Sequence, residues 1–183
     1  MEAFLSLDES RPESSNDFGK DIIPEMLRSG ANLQAYSFEG YWRDIGTIES
    51  LWEAHMDLLE DSELQPWNAL HWPIHTQEVV GMSPCVLTSA QRRSSILNDY
   101  SLIQGEIDHS VLSYGVRVGA GSVIVDSVVM PNVQIGNNVF VRKAIIGEGA
   151  ILRDGVHIGY GNGEIITVVG EGEIIGHKLS TVC

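Results

Sequence analysis

With 183 residues, 43% of them apolar, the chain is long enough for one large domain or two small ones and needs no disulfide staples to close a core. Its net charge of -14 is concentrated early: residues 1–64 carry 15 acidic and 4 basic side chains, and residues 65–183 carry 10 and 7. Neither part offers the basic face that nucleic acid or an anionic membrane requires, and no apolar run approaches the roughly 18 residues of a membrane span, so nucleic-acid and membrane partners are excluded.

No secretory leader opens the sequence and only two cysteines occur, Cys85 and Cys183, which points to a reducing cytoplasm. Cys85 lies in the apolar run MSPCVL and reads as filler, and the scattered histidines form no Cys/His cluster that would hold a structural zinc. The first predicted element is a short helix in DFGKDIIPEMLRSG: Asp17 or Asp21 caps its start, Pro24 fits its first turn, and Gly30 suits the residue past its end. LQAYSF (33–38) alternates and predicts a strand, which Glu39-Gly40 turns into YWRD. Thr47 is a good N-cap for a second helix, whose stripe Ile48, Leu51, Trp52, His55, Leu58 and Leu59 follows the 3.6 period. This order of elements suggests a fragment of α/β architecture.

Between strand and helix, Trp42 and Asp44 stand two residues apart and therefore share a face of an extended segment. An aspartate there can hold a divalent metal that neutralises charge on transferring phosphates, and an aromatic beside it can stack on a sugar ring. Equally, Trp42 could be core and Asp44 a cap for the next helix; spacing alone leaves both open.

Residues 61–84 lose periodicity (ELQPWNALHWPIHT) and read as a packed connector in which Trp67 and Trp72 have apolar area to bury. Beyond it the chain repeats. At steps of 17 residues three aliphatic columns appear: Ile107, Ile124, Val141 and Ile158; Leu112, Val129 and Ile146; Val118, Ile135 and Leu152. Each unit holds three segments of five or six residues, too short for amphipathic helices and interrupted by glycine and asparagine, which predicts a triangular coil of parallel strands. About five coils between Ser95 and Gly176, stacked at about 4.8 Å, would form a rod on the order of 24 Å long.

The units VGAGSV, IGNNVF and IGEGAI resemble the hexapeptide repeat, which implies a left-handed parallel β-helix. Such rods serve several functions. In an acyltransferase, His109 or His157 would be the candidate general base, although the consecutive Asp108-His109-Ser110 cannot act as a triad because neighbours on a strand face opposite ways. A non-catalytic assembly module is a further alternative.

NDFGKDIIPEML, GYWRDIGTIESLWEAHMDLL and HWPIHT, followed by the coils, together resemble the C-terminal portion of the bacterial ADP-glucose pyrophosphorylase (glucose-1-phosphate adenylyltransferase) family, catalytic-type subunit. The resemblance implies that residues 1–60 are the end of a Rossmann-like nucleotidyltransferase domain, 61–84 a connector and 85–183 the β-helix domain. It implies that Asp44 binds catalytic Mg²⁺, that Trp42, Asp17 and Phe18 line a glucose 1-phosphate pocket, and that ATP is the second substrate. It further implies a cytoplasmic tetramer, homomeric or paired with a paralogue, with an allosteric effector surface for which Arg92, Arg93, Arg117 and the Arg142-Lys143 pair are candidate anion contacts. The family's glycine-rich loop and second metal-binding aspartate have no counterpart in residues 1–16, so the chain alone is expected to be inactive.

Overall fold

The computed structural model describes residues 2–60, 85–86, 91–159 and 165–176. The connector expected at 61–84 lies outside them. The chain divides into two compact units, Met1–Glu39 and Gly40–Cys183.

The first unit is helical. α1 (Glu2–Glu9) ends in a turn where the Ser14 hydroxyl donates to the buried Asp8 carboxylate at 2.8 Å. Asn16 then takes a left-handed backbone, φ 56°, and aims the chain into a π turn, Phe18–Ile22, followed by α2 (Ile23–Arg28). Pro24 occupies the first turn of α2, where a missing N–H costs nothing. At the other end the Gly30 N–H bonds to the Leu27 carbonyl and the Ala31 N–H to the Met26 carbonyl, the paired closure that a residue at positive φ allows, and Gly30 supplies it at φ 73°. Ile22 and Met26 are the buried apolar residues of this unit.

The strand expected at LQAYSF is not formed: residues 31–39 carry no strand or helix, and Tyr36 and Phe38 are exposed. Alternation reports that a segment suits a sheet edge, but a strand exists only when a neighbour takes its N–H and C=O groups, and among the described residues none does.

Among its described residues the second unit is a parallel β-solenoid with one α-helix, which a single 3-10 turn, Asp57–Leu59, follows. α3 (Ile48–Met56) starts at Thr47, whose hydroxyl accepts the Ser50 N–H while Ser50 Oγ accepts the Thr47 N–H, a closed capping box. The described strands are two or three residues long and form three sheets, every pairing being parallel. The first sheet runs Cys85–Val86, Leu102–Ile103, Arg117–Val118, Gln134–Ile135, Ile151–Leu152, Ile174–Ile175. The second contains Glu106–Asp108, Val123–Val125, Phe140–Arg142 and His157–Ile158, and the third Val111–Leu112, Val128–Val129 and Ala144–Ile146.

All three predicted columns point inward. Ile107, Ile124, Val141 and Ile158 stack in register, as do Leu112, Val129 and Ile146, and Val118, Ile135 and Leu152, each at most 3% exposed. The period is not constant. Ile103 pairs with Val118 fifteen residues on, because the turn into Glu106 is short, and Ile146 pairs with Val169 after an insertion following Ile158.

The glycine after the apolar residue has a steric cause: a Cβ at Gly119 would sit 2.5 Å from the Gly136 carbonyl oxygen of the next coil. One corner carries a polar ladder that the apolar columns did not reveal. Ser95, Ser110 and Ser127 are buried; Ser110 Oγ accepts the Ser127 N–H at 3.0 Å and Ser127 Oγ accepts the Ala144 N–H at 3.2 Å, while each hydroxyl donates to a carbonyl two residues back. Buried N–H groups that the corner turns away from the sheets are thereby satisfied.

α3 lies on the outer face of the third sheet. Leu51, Trp52, Met56 and Leu59 cover Val111, Val128 and Ile145, which is why those outward-facing residues are buried. The predicted stripe is corrected at two positions: Met56, which it omits, is the most buried residue of α3, and its member Ile48 is exposed because the first turn of α3 stands clear of the sheet.

Candidate functional site

The extended segment Tyr41–Asp44 splits its side chains by position. Tyr41 and Arg43 turn to α3 and its C-terminal turn. The Tyr41 hydroxyl donates to Asp57 Oδ2 at 2.9 Å, Arg43 Nε donates to the same oxygen at 2.7 Å, and Arg43 Nη1 donates to Glu53 Oε2 at 2.5 Å. Glu53 and Asp57 are four residues apart, so one helix face presents both carboxylates. Burial disfavours charge on Arg43, but the Asp57 carboxylate, the hydrogen bonds to Tyr41 and Asp57, and the Glu53 charge outweigh it and hold the guanidinium above its ordinary range. Burial and then the Asp57 carboxylate push the Tyr41 phenol up.

The alternate residues are left outward. Trp42 is 71% exposed, and Asp44 is exposed. Asp44 Oδ1 accepts the Gly46 N–H at 3.0 Å, which fixes the carboxylate to its own turn, and no ion pair engages it among the described residues. The helix cap is Thr47, so Asp44 does not serve as one. One anchored, solvated carboxylate fits as one protein ligand of Mg²⁺, which takes one or two carboxylates and fills its remaining positions with water and phosphate. Among the described residues no group of three His, Cys, Asp or Glu is assembled for a metal.

Asp17 and Phe18 lie in the other unit. Asp17 Oδ1 accepts the Gly19 and Lys20 N–H groups, both at 2.8 Å, so of the two candidate caps Asp17 is the one used; Phe18 is 51% exposed. Asp21 accepts instead from Ser15 Oγ at 2.5 Å and from the Asp17 N–H at 3.2 Å, and these bonds, the hydroxyl's first, hold its carboxyl below the ordinary value of 3.8.

Both described solenoid histidines, His109 and His157, are engaged. His109 Nδ1 lies 2.8 Å from Asp126 Oδ1, one coil above it. Ser110 beside it is buried in the serine ladder, with its hydroxyl donating to the Asp108 carbonyl, so Asp108-His109-Ser110 forms no triad. His157 faces Phe140 of the preceding coil, ring centroids 6.0 Å apart. Of the candidate anion contacts, Lys143 sits over the Trp52 ring, 5.3 Å from its centroid. Trp52 Nε1 donates to the Asp126 carbonyl at 2.8 Å, so His109, Asp126 and Lys143 form one corner column on which α3 is seated. The repeat period would have revealed that column, since the three residues are spaced by 17.

Residues 1–61 match the family model described as Nucleotidyl transferase, and residues 85–164 match GlmU-like, C-terminal hexapeptide. A glucose-1-phosphate adenylyltransferase of Bacillus cytotoxicus is 44% identical over 155 residues, 85% of this chain and 41% of the relative. The same-named protein of Bacillus mycoides is 44% identical over 158 residues, 86% of this chain and 42% of the relative. Over most of its own length the chain is similar to part of the glucose-1-phosphate adenylyltransferases. It spans about two fifths of the length of the curated relatives it matches. Among the described residues no helix is long and apolar enough to cross a membrane.

Proposed function

We propose that the chain is the C-terminal portion of an enzyme that makes ADP-glucose and pyrophosphate from ATP and glucose 1-phosphate for glycogen synthesis, and that the 183-residue chain alone is inactive. The observation that carries this reading is the 44% identity, over 85% of the chain, to proteins named for that reaction. In this reading residues 1–60 close the nucleotidyltransferase domain, 61–84 connect, and 85–183 are the left-handed β-helix domain serving assembly and allosteric response. The assembly is a cytoplasmic tetramer of like or paralogous subunits.

Asp44 would be a ligand of Mg²⁺, and the bound ion would supply charge neutralisation on the phosphates during adenylyl transfer. The chain's own contribution is orientation. Tyr41 and Arg43 are tied to α3 and the turn that follows it, so Trp42 is presented as a platform for the sugar ring, and the Gly46 N–H holds one Asp44 oxygen, leaving the other without a partner among the described residues. Asp17, held by the Gly19 and Lys20 N–H groups, and Phe18 would line the glucose 1-phosphate pocket.

The test is a fusion in which this chain replaces the matched two fifths of the Bacillus cytotoxicus relative. ADP-glucose synthesis by the fusion, absent from the isolated chain, supports the reading. A hexapeptide acyltransferase would instead bind acetyl-CoA through the solenoid, and acetyl-CoA binding without any glucose 1-phosphate binding would replace the proposal.

A further inference from the structure

The corner between the second and third sheets carries side chains that the fold does not require. Ser94, His109, Asp126 and Lys143 stack there, all with left-handed backbone, φ between 38° and 48°. At the other two corners that conformation falls to glycine or asparagine, as at Gly115, Asn132 and Gly149 and at Gly121, Asn138 and Gly155, with Tyr100 the exception among the described residues. Lysine in particular adopts it at a steric cost that glycine avoids. The corner backbone closes without these side chains: the His109 N–H bonds to the Arg93 carbonyl, the Asp126 N–H to the Asp108 carbonyl and the Lys143 N–H to the Val125 carbonyl. Left-handed strain retained where glycine would close the same backbone calls for a use outside the fold.

What these side chains do is seat α3. Asp126 Oδ1 lies 2.8 Å from His109 Nδ1, the Asp126 carbonyl takes the Trp52 indole N–H at 2.8 Å, and the Lys143 ammonium lies 5.3 Å from the centroid of the same indole. From Trp52 the contacts continue along α3 and the turn that follows it: Glu53 takes Arg43, and Asp57 takes Arg43 and Tyr41, the two residues that flank Trp42. We propose that His109, Asp126 and Lys143 are positioning residues for adenylyl transfer, holding Trp42 and Asp44 in place through α3 while touching neither substrate nor metal. The proposal rests on the adenylyltransferase reading. A misplacement of about 1 Å caused far from the reacting atoms can lower a rate about a hundredfold, so a loosened seat registers in turnover before it registers in folding.

The experiment uses the 183-residue chain and the fusion in which it replaces the matched part of the Bacillus cytotoxicus relative. Each is made as parent, as the double variant His109→Gly, Lys143→Gly, and as the double variant His109→Asn, Lys143→Arg. Glycine keeps the left-handed corner and removes both side chains, whereas asparagine and arginine return a donor toward Asp126 and a cation over the indole. In the chain, exchange of the Gly46 and Thr47 amides should quicken at least fivefold in the glycine variant, with a urea midpoint for the solenoid no lower than the parent's. In the fusion, kcat for ADP-glucose should fall at least tenfold while KM for ATP stays within twofold, and the Asn/Arg variant should recover kcat to within threefold of the parent. An active fusion whose glycine variant keeps kcat within threefold overturns the proposal and leaves the adenylyltransferase reading standing. A lowered urea midpoint, unchanged exchange at Gly46 and Thr47, or no recovery in the Asn/Arg variant overturns it as well. An inactive parent fusion with the exchange effect intact removes the adenylyltransferase reading, while the hold of the corner on residues 42–44 stands.

Discussion

Replacing Trp52 should loosen α3 without disturbing the solenoid beneath it. Trp52→Ala removes the indole bond to the Asp126 carbonyl, the ring under the Lys143 ammonium, and part of the apolar cover over Val111, Val128 and Ile145. A fully buried tryptophan loses about 3–5 kcal/mol on truncation to alanine. Trp52 is only half-buried, so the loss should be about 2–3 kcal/mol. Trp52→Phe keeps most of the ring but leaves the carbonyl without its donor, for about 1–2 kcal/mol. Amide exchange separates the two levels. Because about 1.4 kcal/mol is tenfold, exchange of the α3 amides Trp52–Met56 should quicken roughly thirtyfold or more in Trp52→Ala and about tenfold in Trp52→Phe. The inward Ile124 and Val129 amides should change by less than threefold. If α3 kept its protection in Trp52→Ala, or if the solenoid amides lost as much as the helix, the seating described here would be wrong.

Three other outcomes are expected. Ser127→Ala should strand the Ala144 N–H, while the Val125 carbonyl keeps the Lys143 N–H, and lower solenoid stability by about 1–3 kcal/mol in urea unfolding, since a buried N–H keeps its desolvation cost when its acceptor is removed. Arg43→Ala should free Trp42 and Asp44 from their fixed presentation with little loss of global stability, because water screens ion pairs at the surface; slower Gly46 and Thr47 amide exchange in the parent than in the variant would show it, and Arg43→Lys should restore part of the order. In a carbon-detected pH titration the Asp21 carboxyl should titrate below 3.8, and Ser15→Ala should raise it toward that value. The sign follows from the depressed folded value: the 15–21 turn gains stability from Asp21 above pH 3.8 and loses it as the pH falls through the folded pKa.

What could be read in advance follows from how local the physical signal is. The inward columns were legible because a solenoid repeats its constraints every coil, so Ile107, Ile124 and Val141 report one environment three times. The Thr47 cap and the Gly30 terminus are decided within four residues and were equally plain. LQAYSF was misjudged because its alternation describes compatibility with a sheet, whereas pairing depends on atoms far away in sequence. The stripe of α3 was misassigned at Ile48 and Met56 because periodicity gives a helix face but not where along its length the underlying sheet begins. At the candidate site, the shared face of Trp42 and Asp44 was readable from their separation. What holds that face outward was not, since it depends on Asp57 and Glu53 arriving from the next helix to take Tyr41 and Arg43.

The measurement closest to the central claim compares ADP-glucose formation by the fusion carrying wild-type sequence with that of its Asp44→Asn and Trp42→Ala variants. If Asp44 is a Mg²⁺ ligand and Trp42 a sugar platform, Asp44→Asn should lower kcat at least a hundredfold, with partial recovery at high Mg²⁺, and Trp42→Ala should raise KM for glucose 1-phosphate at least tenfold while sparing KM for ATP. An active fusion that tolerates both substitutions within threefold would show that the outward face of the YWRD segment is surface, and not the wall of a nucleotidyl-transfer site.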